Sequence, residues 1–498
     1  MCLDIPLSRI QRIEMEPSPE FRVRIAQNYS STDIDNYGNW IRSVDSTLNL
    51  LGRPKDSCNY RVPSKLRALM PEAYTPQVVS VGPFHRNKPE LRGMEEFKWR
   101  YMLSFLDGLV ETDIGNIHGE SSENSPRFLA LEKCCRVISE LEEEAREFYA
   151  EEINLDKHQL MEMLLVDSCF ILEYIRRIMN TELIPLEERV PIDLPAGNLM
   201  MRLALSQDFL LLENQIPYII LQKLFELVPS SRRICNASGE MSLQEFIYTL
   251  FCSFPMLMLN IPVAKPIPDA TFSNILDMLY RVSVTAPEKL PNLSNIPLKW
   301  GLKSCAAELI KSGIRISLHR SRVSAVDIKF YEGELTLPIF TMNTYSITLL
   351  RNLIAMEQTR NIRHVIISYV VLMSSLVRSR EDVYFLERAG IILKFQREFE
   401  YSENYFQTLS KEANCADFVF RGLCEEVDNY KLPVWRWHRV EGFTTVTWHR
   451  WKESIKYLKR DYFKNRWSFI TFFAASFIIL LTVVQTFYTI RAYYPPYH

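Results

Sequence analysis

The amino-acid sequence predicts a mainly α-helical fold with a small β element (α+β), a large helical cytosolic domain closed by one C-terminal transmembrane helix. Three observations carry this. Leu160–Ile175 ("LMEMLLVDSCFILEYI") and Ser206–Leu227 ("SQDFLLLENQIPYIILQKLFEL") are apolar runs of helical length. Short strand-like runs, "GIRISLHR" and "DIKFYEGELTLPIFTMN", cluster around a Glu-Gly turn. Phe469–Ile490 is a long stretch without a charge.

Composition removes several function classes. The chain has 498 residues, enough for one large core or two to three ordinary domains, and no linker clearly divides it. A formal net charge of -2 gives no global attraction to nucleic acid, and no nucleic-acid motif appears. With 15 glycines and neither GxGxxG nor GxxxxGK, the chain lacks the loops that cradle phosphates. The 10 cysteines are scattered without a CxxC, so neither a zinc module nor a disulfide framework is expected, and the thiols read as reduced and mostly buried. The N-terminus has no apolar signal-peptide core.

In chain order, residues 1–30 read as a mobile tail and 31–466 as the mainly helical body. "YGNWIRSVDSTLNLLG" predicts a short helix ending at Gly52. Thr75–His85 ("TPQVVSVGPFH") predicts a strand entering a Gly-Pro turn, and Leu91–Leu109 a helix. The acidic run from Glu140 to Glu152 reads as a solvated helix face or an acidic docking surface. Proline-rich connections follow at Pro185–Pro195 and Pro287–Pro297. Phe246–Ala264, broken by Pro255, Asn260 and Pro262, predicts a buried helix and loop, and His364–Val377 is too short to span and reads as core.

Residues 467–490 read as the transmembrane helix, because their charge-free stretch at about 1.5 Å rise per residue matches a hydrocarbon core of about 30 Å. Trp467 and Tyr493 would mark the two interfaces, with Lys464 and Arg466 on the basic side. Lys452, Lys456, Lys459 and Arg460 add to that asymmetry, so the bulk of the chain is expected in the cytosol and residues 491–498 as a short tail outside. Trp435, Trp437, Trp448 and Trp451, interleaved with basic residues, fit either a leaflet-bound segment or an amphipathic helix packed on the body.

Several ordered phrases resemble a plant family, the domain of unknown function 247. They include "YRVPSKLR", "YTPQVVSVGPFH", "MEEFKWRYMLSFL", "LLVDSCFILEYI", "DFLLLENQIPYIILQKLF", "LLRNLIAMEQ" and "EDVYFLERAGII". The resemblance covers roughly residues 35–490. The chain departs from the family at "GPFHRN", which retains His85 without the usual following aromatic and His-Gly. The resemblance implies a membrane protein of plants without an established enzymatic activity; some grass members are associated with pollen–stigma self-incompatibility.

Polar residues inside the apolar helices are the candidate functional groups. Advancing 100° per residue places His158, Glu162, Cys169, Glu173 and Arg176 on a wet stripe. Asp167 falls about 140° from Glu162, on the apolar face, where a carboxylate needs a donor or a proton. Pro217 disfavours helix at Ile216, so one helix is expected to end near Glu213-Asn214 and another to begin near Pro217. Asn214 and Gln215 would then satisfy loose backbone groups at an internal joint. Asp167, Glu213 and His85 could instead form an acid–base or ligand site. His158 and Glu162 lack the HExxH pattern of a metal site, and no catalytic, cofactor or metal residue is assigned.

The expectation is therefore a membrane-anchored interaction or signalling protein of plants, single-pass near its C-terminus, the plasma membrane being one candidate location. It would touch lipid through residues 467–490 and recognise unidentified protein partners, with no cofactor, nucleic acid or small-molecule substrate. The alternatives are a recognition determinant of the grass self-incompatibility type and an enzyme using buried carboxylates.

Overall fold

Ser125 and Asn343 show how this sequence starts helices. Each places a side-chain oxygen on an otherwise orphaned N–H of the first turn, at Phe128 and Ser346 respectively. At the start of the longest helix, Asp156 and Gln159 cap each other's backbone N–H groups at 2.9 and 3.2 Å. A computed structural model describes residues 40–46, 59–110, 125–183, 198–236, 239–252, 267, 270–284, 300–319, 326–360, 362–394, 403–415, 417–430, 451, 477–486 and 488–489.

The first helix, α1, covers residues 40–46. Then come α2 (Ser64–Leu69), α3 (Glu95–Leu109), α4 (Pro126–Glu140), α5 (Glu142–Glu147), α6 (Lys157–Leu183), α7 (Leu199–Asp208) and α8 (Tyr218–Glu226). A short β1–β2 hairpin (Cys235–Asn236, Gly239–Glu240) precedes α9 (Leu243–Cys252) and α10 (Ile275–Ser283). α11 (Ala306–Lys311) leads into strands β3 (Arg315–Leu318), β4 (Lys329–Tyr331), β5 (Glu334–Leu337) and β6 (Phe340–Met342). α12 (Thr344–Thr359), α13 (Val365–Leu376), α14 (Arg380–Arg388), β7 (Ile392–Lys394), α15 (Glu403–Glu412) and α16 (Arg421–Asn429) follow.

The 27-residue α6 is the axis of the N-terminal half, with α3, α4, α8 and α9 packed around it. Its apolar side supplies Leu164, Phe170, Ile171 and Tyr174 to one contiguous core that runs from Val62 to Val427. Burial of this kind is the main force holding the helices together, at about 25 cal/mol per Å² of apolar surface. α13, the predicted core segment, is buried along most of its length.

The β element matches the predicted runs. β5 lies between β3, its parallel partner, and β4, its antiparallel one. Glu332 and Gly333, at φ 47° and 80°, form the two-residue turn between β4 and β5, whose left-handed backbone suits the strand twist. β6 pairs in parallel with β7 across α12–α14.

Four expectations need correction. Thr75–His85 is not a β-strand, since its backbone is paired with side chains as described below. The wet stripe fails beyond the first turns of α6, because Cys169 and Glu173 are buried. α7 ends at Asp208, earlier than Glu213.

The fourth is the single-pass anchor. Among the described residues no helix is long and apolar enough to cross a membrane. The transmembrane helix at 467–490 and the single-pass location that depended on it are therefore withdrawn. Trp467, Arg466, Lys464 and Tyr493 lie outside the described residues, as do the 1–30 tail and the two proline-rich connections.

Candidate functional site

Residues 77–82 form neither helix nor strand and bend at Gln77, Val78 and Gly82. Asp208, the last residue of α7, accepts from the N–H groups of Gln77 (2.9 Å), Val78 (2.7 Å) and Val79 (2.9 Å). Asn214 accepts from Val81 N–H at 2.7 Å, and its amide donates to the carbonyls of Val79 and Asp208, each at 3.0 Å. Asp167 accepts from Gly82 N–H at 2.8 Å. A strap that the sequence marks as extended thus satisfies its buried backbone with carboxylates and an amide, as every buried N–H must find some partner.

Asp167 is also 2.8 Å from the Lys98 ammonium, which in turn pairs with Glu95 at 2.8 Å. Burial pushes the Asp167 carboxyl up despite Lys98, while the two carboxylates outweigh burial at Lys98 and raise it, so the ammonium is held charged. Burial also pushes Asp208 up to about 6, against three N–H donors that favour its charged form.

Glu213 holds the other end of the strap region. It accepts from Val62 N–H at 2.7 Å and from the Arg67 guanidinium. His85 Nε2 stands 3.6 Å from Glu213 Oε2, and neither that oxygen nor either ring nitrogen makes a hydrogen bond. Burial, reinforced by Lys88, Arg67 and Arg61, pushes His85 down to about 3, so it is neutral at pH 7. Glu173 differs: burial raises its carboxyl, but Arg176, Ser104 and Arg177 together bring it below the ordinary range.

The joint between α7 and α8 is built by Gln215. Its amide nitrogen donates to the carbonyls of Phe209 (2.7 Å) and Leu211 (2.9 Å), and its side-chain oxygen accepts from Leu276 N–H at 3.3 Å. Tyr149 Oη donates to its backbone carbonyl at 3.1 Å. Gly82, at φ 75°, lies so close that a Cβ there would stand 2.5 Å from the same carbonyl oxygen.

Sequence reasoning missed two further members. Asn352 accepts from Leu212 N–H and donates to the Ala73 carbonyl, each at 2.8 Å. Glu357 accepts from Ile366 and Ile367 N–H at the start of α13 and from Tyr280 Oη, and burial pushes it up to about 7. Both stand in "LLRNLIAMEQ", polar intrusions in an apolar helix like Asp167, so the same signal would have found them.

Beside the joint lies a cleft of about 620 Å³, with Pro217 and Tyr218 at the head of α8 as one wall and Ala270–Ser273 as another. Tyr218 N–H donates to the Ser273 carbonyl at 2.9 Å, and the Tyr218 and Phe272 rings meet edge to face at 5.3 Å. Phe148 completes an aromatic floor, and Glu144, Glu147 and Glu226 stand around it. Lys223 is committed to Glu226 at 2.9 Å.

A second space of about 80 Å³ is lined by Ser80, Gly82, Lys98 and Asp167 among others. Glu213 and His85 line neither, so the five predicted residues do not converge on one pocket. Asp167, Glu213, Asn214 and Gln215 act on backbone, as a clamp that fixes the strap and the joint, while His85 stands beside Glu213 without a hydrogen bond from its ring. No group of three or more His, Cys, Asp or Glu among the described residues could hold a metal ion.

Residues 60–481 match a family described as a plant protein of unknown function, the domain of unknown function 247. The chain belongs to this family. It is 27% identical to "UPF0481 protein At3g47200" of Arabidopsis thaliana, over 91% of this chain and 90% of that protein. It is 22% identical to "Putative UPF0481 protein At3g02645", over 86% of this chain and 89% of that one. No solved structure matches. The family's phrases "DFLLLENQIPYIILQKLF" and "YTPQVVSVGPFH" are the two sides of the clamp. These matches state no role, so they carry neither the expected signalling nor the self-incompatibility of some grass members, and the expected membrane anchor is the one corrected above.

Proposed function

We propose that this family member is a non-enzymatic recognition protein that receives a segment of a partner protein in the cleft beside the α7–α8 joint. One observation carries the reading: the joint residues Asn214 and Gln215 are spent on fixing backbone, and the backbone they fix aims Pro217 and Tyr218 into a cleft of about 620 Å³. Clefts of this size with an apolar floor and a few polar groups are the usual form of a binding site. The buried carboxylates favour this over acid–base chemistry, since Asp208 and Asp167 have both oxygens engaged by backbone N–H groups or Lys98.

The test places a photoreactive residue at Gln222, on the cleft, or at Tyr331, on the β4–β5 turn, in the full chain within plant cells. A defined cross-linked protein at Gln222, absent at Tyr331 and lost on Ile219→Arg, supports the reading when the purified partner rebinds. Cross-links that are equal at both positions, or absent at Gln222, overturn it.

A further inference from the structure

The charge around the cleft is one-sided. Among the residues that line it, three carboxylates, Glu144, Glu147 and Glu226, face one ammonium, Lys223, which Glu226 already holds. At the opposite wall Arg281 lies over the Phe272 ring at 5.2 Å and donates to the Thr271 carbonyl, leaving the uncompensated negative charge at Glu144 and Glu147. Glu144 and Glu147 are three apart on α5 and share one face, where like charges destabilise a helix. Other carboxylates on helix surfaces do have cations one turn away, as in Glu132–Arg136 and Glu96–Arg100. The nearest cation in sequence, Arg146, is turned to Glu142 and to the carbonyls of Ile153 and Leu155. Among the described residues neither Glu144 nor Glu147 pairs with a cation. Beneath them Phe148, Tyr218 and Phe272, mostly buried, show only narrow apolar edges to the cleft, enough to contact an apolar side chain.

We infer that the occupant of this cleft is a basic peptide segment of a partner protein, carrying Lys or Arg beside an aromatic or aliphatic anchor. This rests on the reading of the cleft as a protein-binding site. Charge complementarity selects the partner and speeds its approach, while the anchor on the aromatic floor supplies residence. The same acidic rim repels anionic lipid and nucleic acid, so the cationic partner is a protein segment. The clamp matters because it sets the geometry: the ties from Tyr149 and Leu276 to Gln215 hold the 148 side, the head of α8 and the α10 side in one register.

The experiment uses the full chain and a fluorescent synthetic peptide of about a dozen residues that alternates lysine with leucine around one phenylalanine. An acidic counterpart with glutamate in place of lysine serves as the reference. The basic peptide is expected to bind and to block the Gln222 cross-link. Its affinity should fall about tenfold as salt rises from about 0.1 to 1 M, where the Debye length shrinks from about 10 to about 3 Å. Glu144→Lys with Glu147→Lys should weaken it at least about tenfold. Glu72→Lys with Glu426→Lys, the same charge change away from the cleft, should leave it within about twofold.

If the Gln222 cross-link forms but the basic peptide neither binds nor competes, the inference fails and the binding site stands. Equal weakening by both charge-reversed pairs means attraction to the overall charge only, and likewise overturns it. Loss of the cross-link itself overturns the cleft reading and the inference together.

Discussion

The strap at residues 77–82 and the β3–β5–β4 sheet face the same problem, backbone N–H groups that need acceptors outside a helix, and solve it differently. In the sheet, Ile316, Leu335 and Phe330 lie in register and the ladder is backbone to backbone. In the strap the partners are Asp208, Asn214 and Asp167, side chains contributed from two helices and a joint. A ladder depends on alternation and tolerates many residues at each position. A side-chain clamp depends on particular atoms, because removing one acceptor strands several buried donors at once. The N-terminal half should therefore be brittle to substitution where the sheet is forgiving.

The largest effect is expected at Asp208. Asp208→Ala leaves three N–H groups without acceptors, and at about 1–3 kcal/mol for each stranded donor the loss should be about 3–5 kcal/mol, allowing for relaxation. Denaturant midpoints at constant m-value would measure it, and a loss below about 1 kcal/mol would show that water replaces the carboxylate. The Asp167–Lys98 pair sharpens the point. Either Asp167→Leu or Lys98→Met alone should cost about 3 kcal/mol or more by stranding a buried charge, and the double variant less than the sum. Strict additivity would mean that the two groups stabilise separate structures.

His85 gives the next effect, through pH. Its folded value of about 3 lies below the ordinary value near 6.5, so between these limits the unfolded chain binds a proton that the native protein does not. Stability from this group is complete above about pH 6.5 and is lost as pH falls toward 3, at up to about 1.4 kcal/mol per pH unit. Asp208 and Glu357, raised to about 6 and about 7, act with the opposite sign, contributing stability that is lost as pH rises. Comparing the wild type with His85→Phe cancels them, so urea midpoints from pH 6.5 to 4.5 should fall more steeply with His85 present. Equal slopes would show that protonated His85 is rescued by Glu213, 3.6 Å away.

How much of this was legible follows from the same contrast. Periodicity places Leu164, Ile171 and Tyr174 in the core and exposes Asp167 as the misfit, because a 3.6-residue repeat is a local property. Pro217 marks the start of α8 for an equally local reason. Asp208 carries no such mark: its partners lie about 130 residues away, and a polar residue ending a helix looks ordinary. A strand-like pattern at Thr75–His85 reports residue type, and does not show that the segment bends and pairs with side chains instead of a ladder. Glu173 looked wet because periodicity counts charges and does not see that Arg176 and Arg177 fold onto it. The cleft was invisible because α5, the head of α8 and residues 270–273 meet only in the fold.

Thr336 in β5 should show the smallest effect and completes the test of the comparison. Its backbone lies in the register between Ser317 and Lys329, and its hydroxyl adds one long bond, 3.3 Å, to the Lys329 carbonyl at the surface. Thr336→Val keeps the branched shape that suits a strand and removes only that exposed bond, whose loss water can make good. The change in stability should stay within about 0.5 kcal/mol, against several for Asp208→Ala. A loss above about 2 kcal/mol would mean that the sheet, like the strap, hangs on individual side chains. The brittle region would then extend across the whole fold, and single-residue dependence would no longer distinguish the clamp beside the cleft.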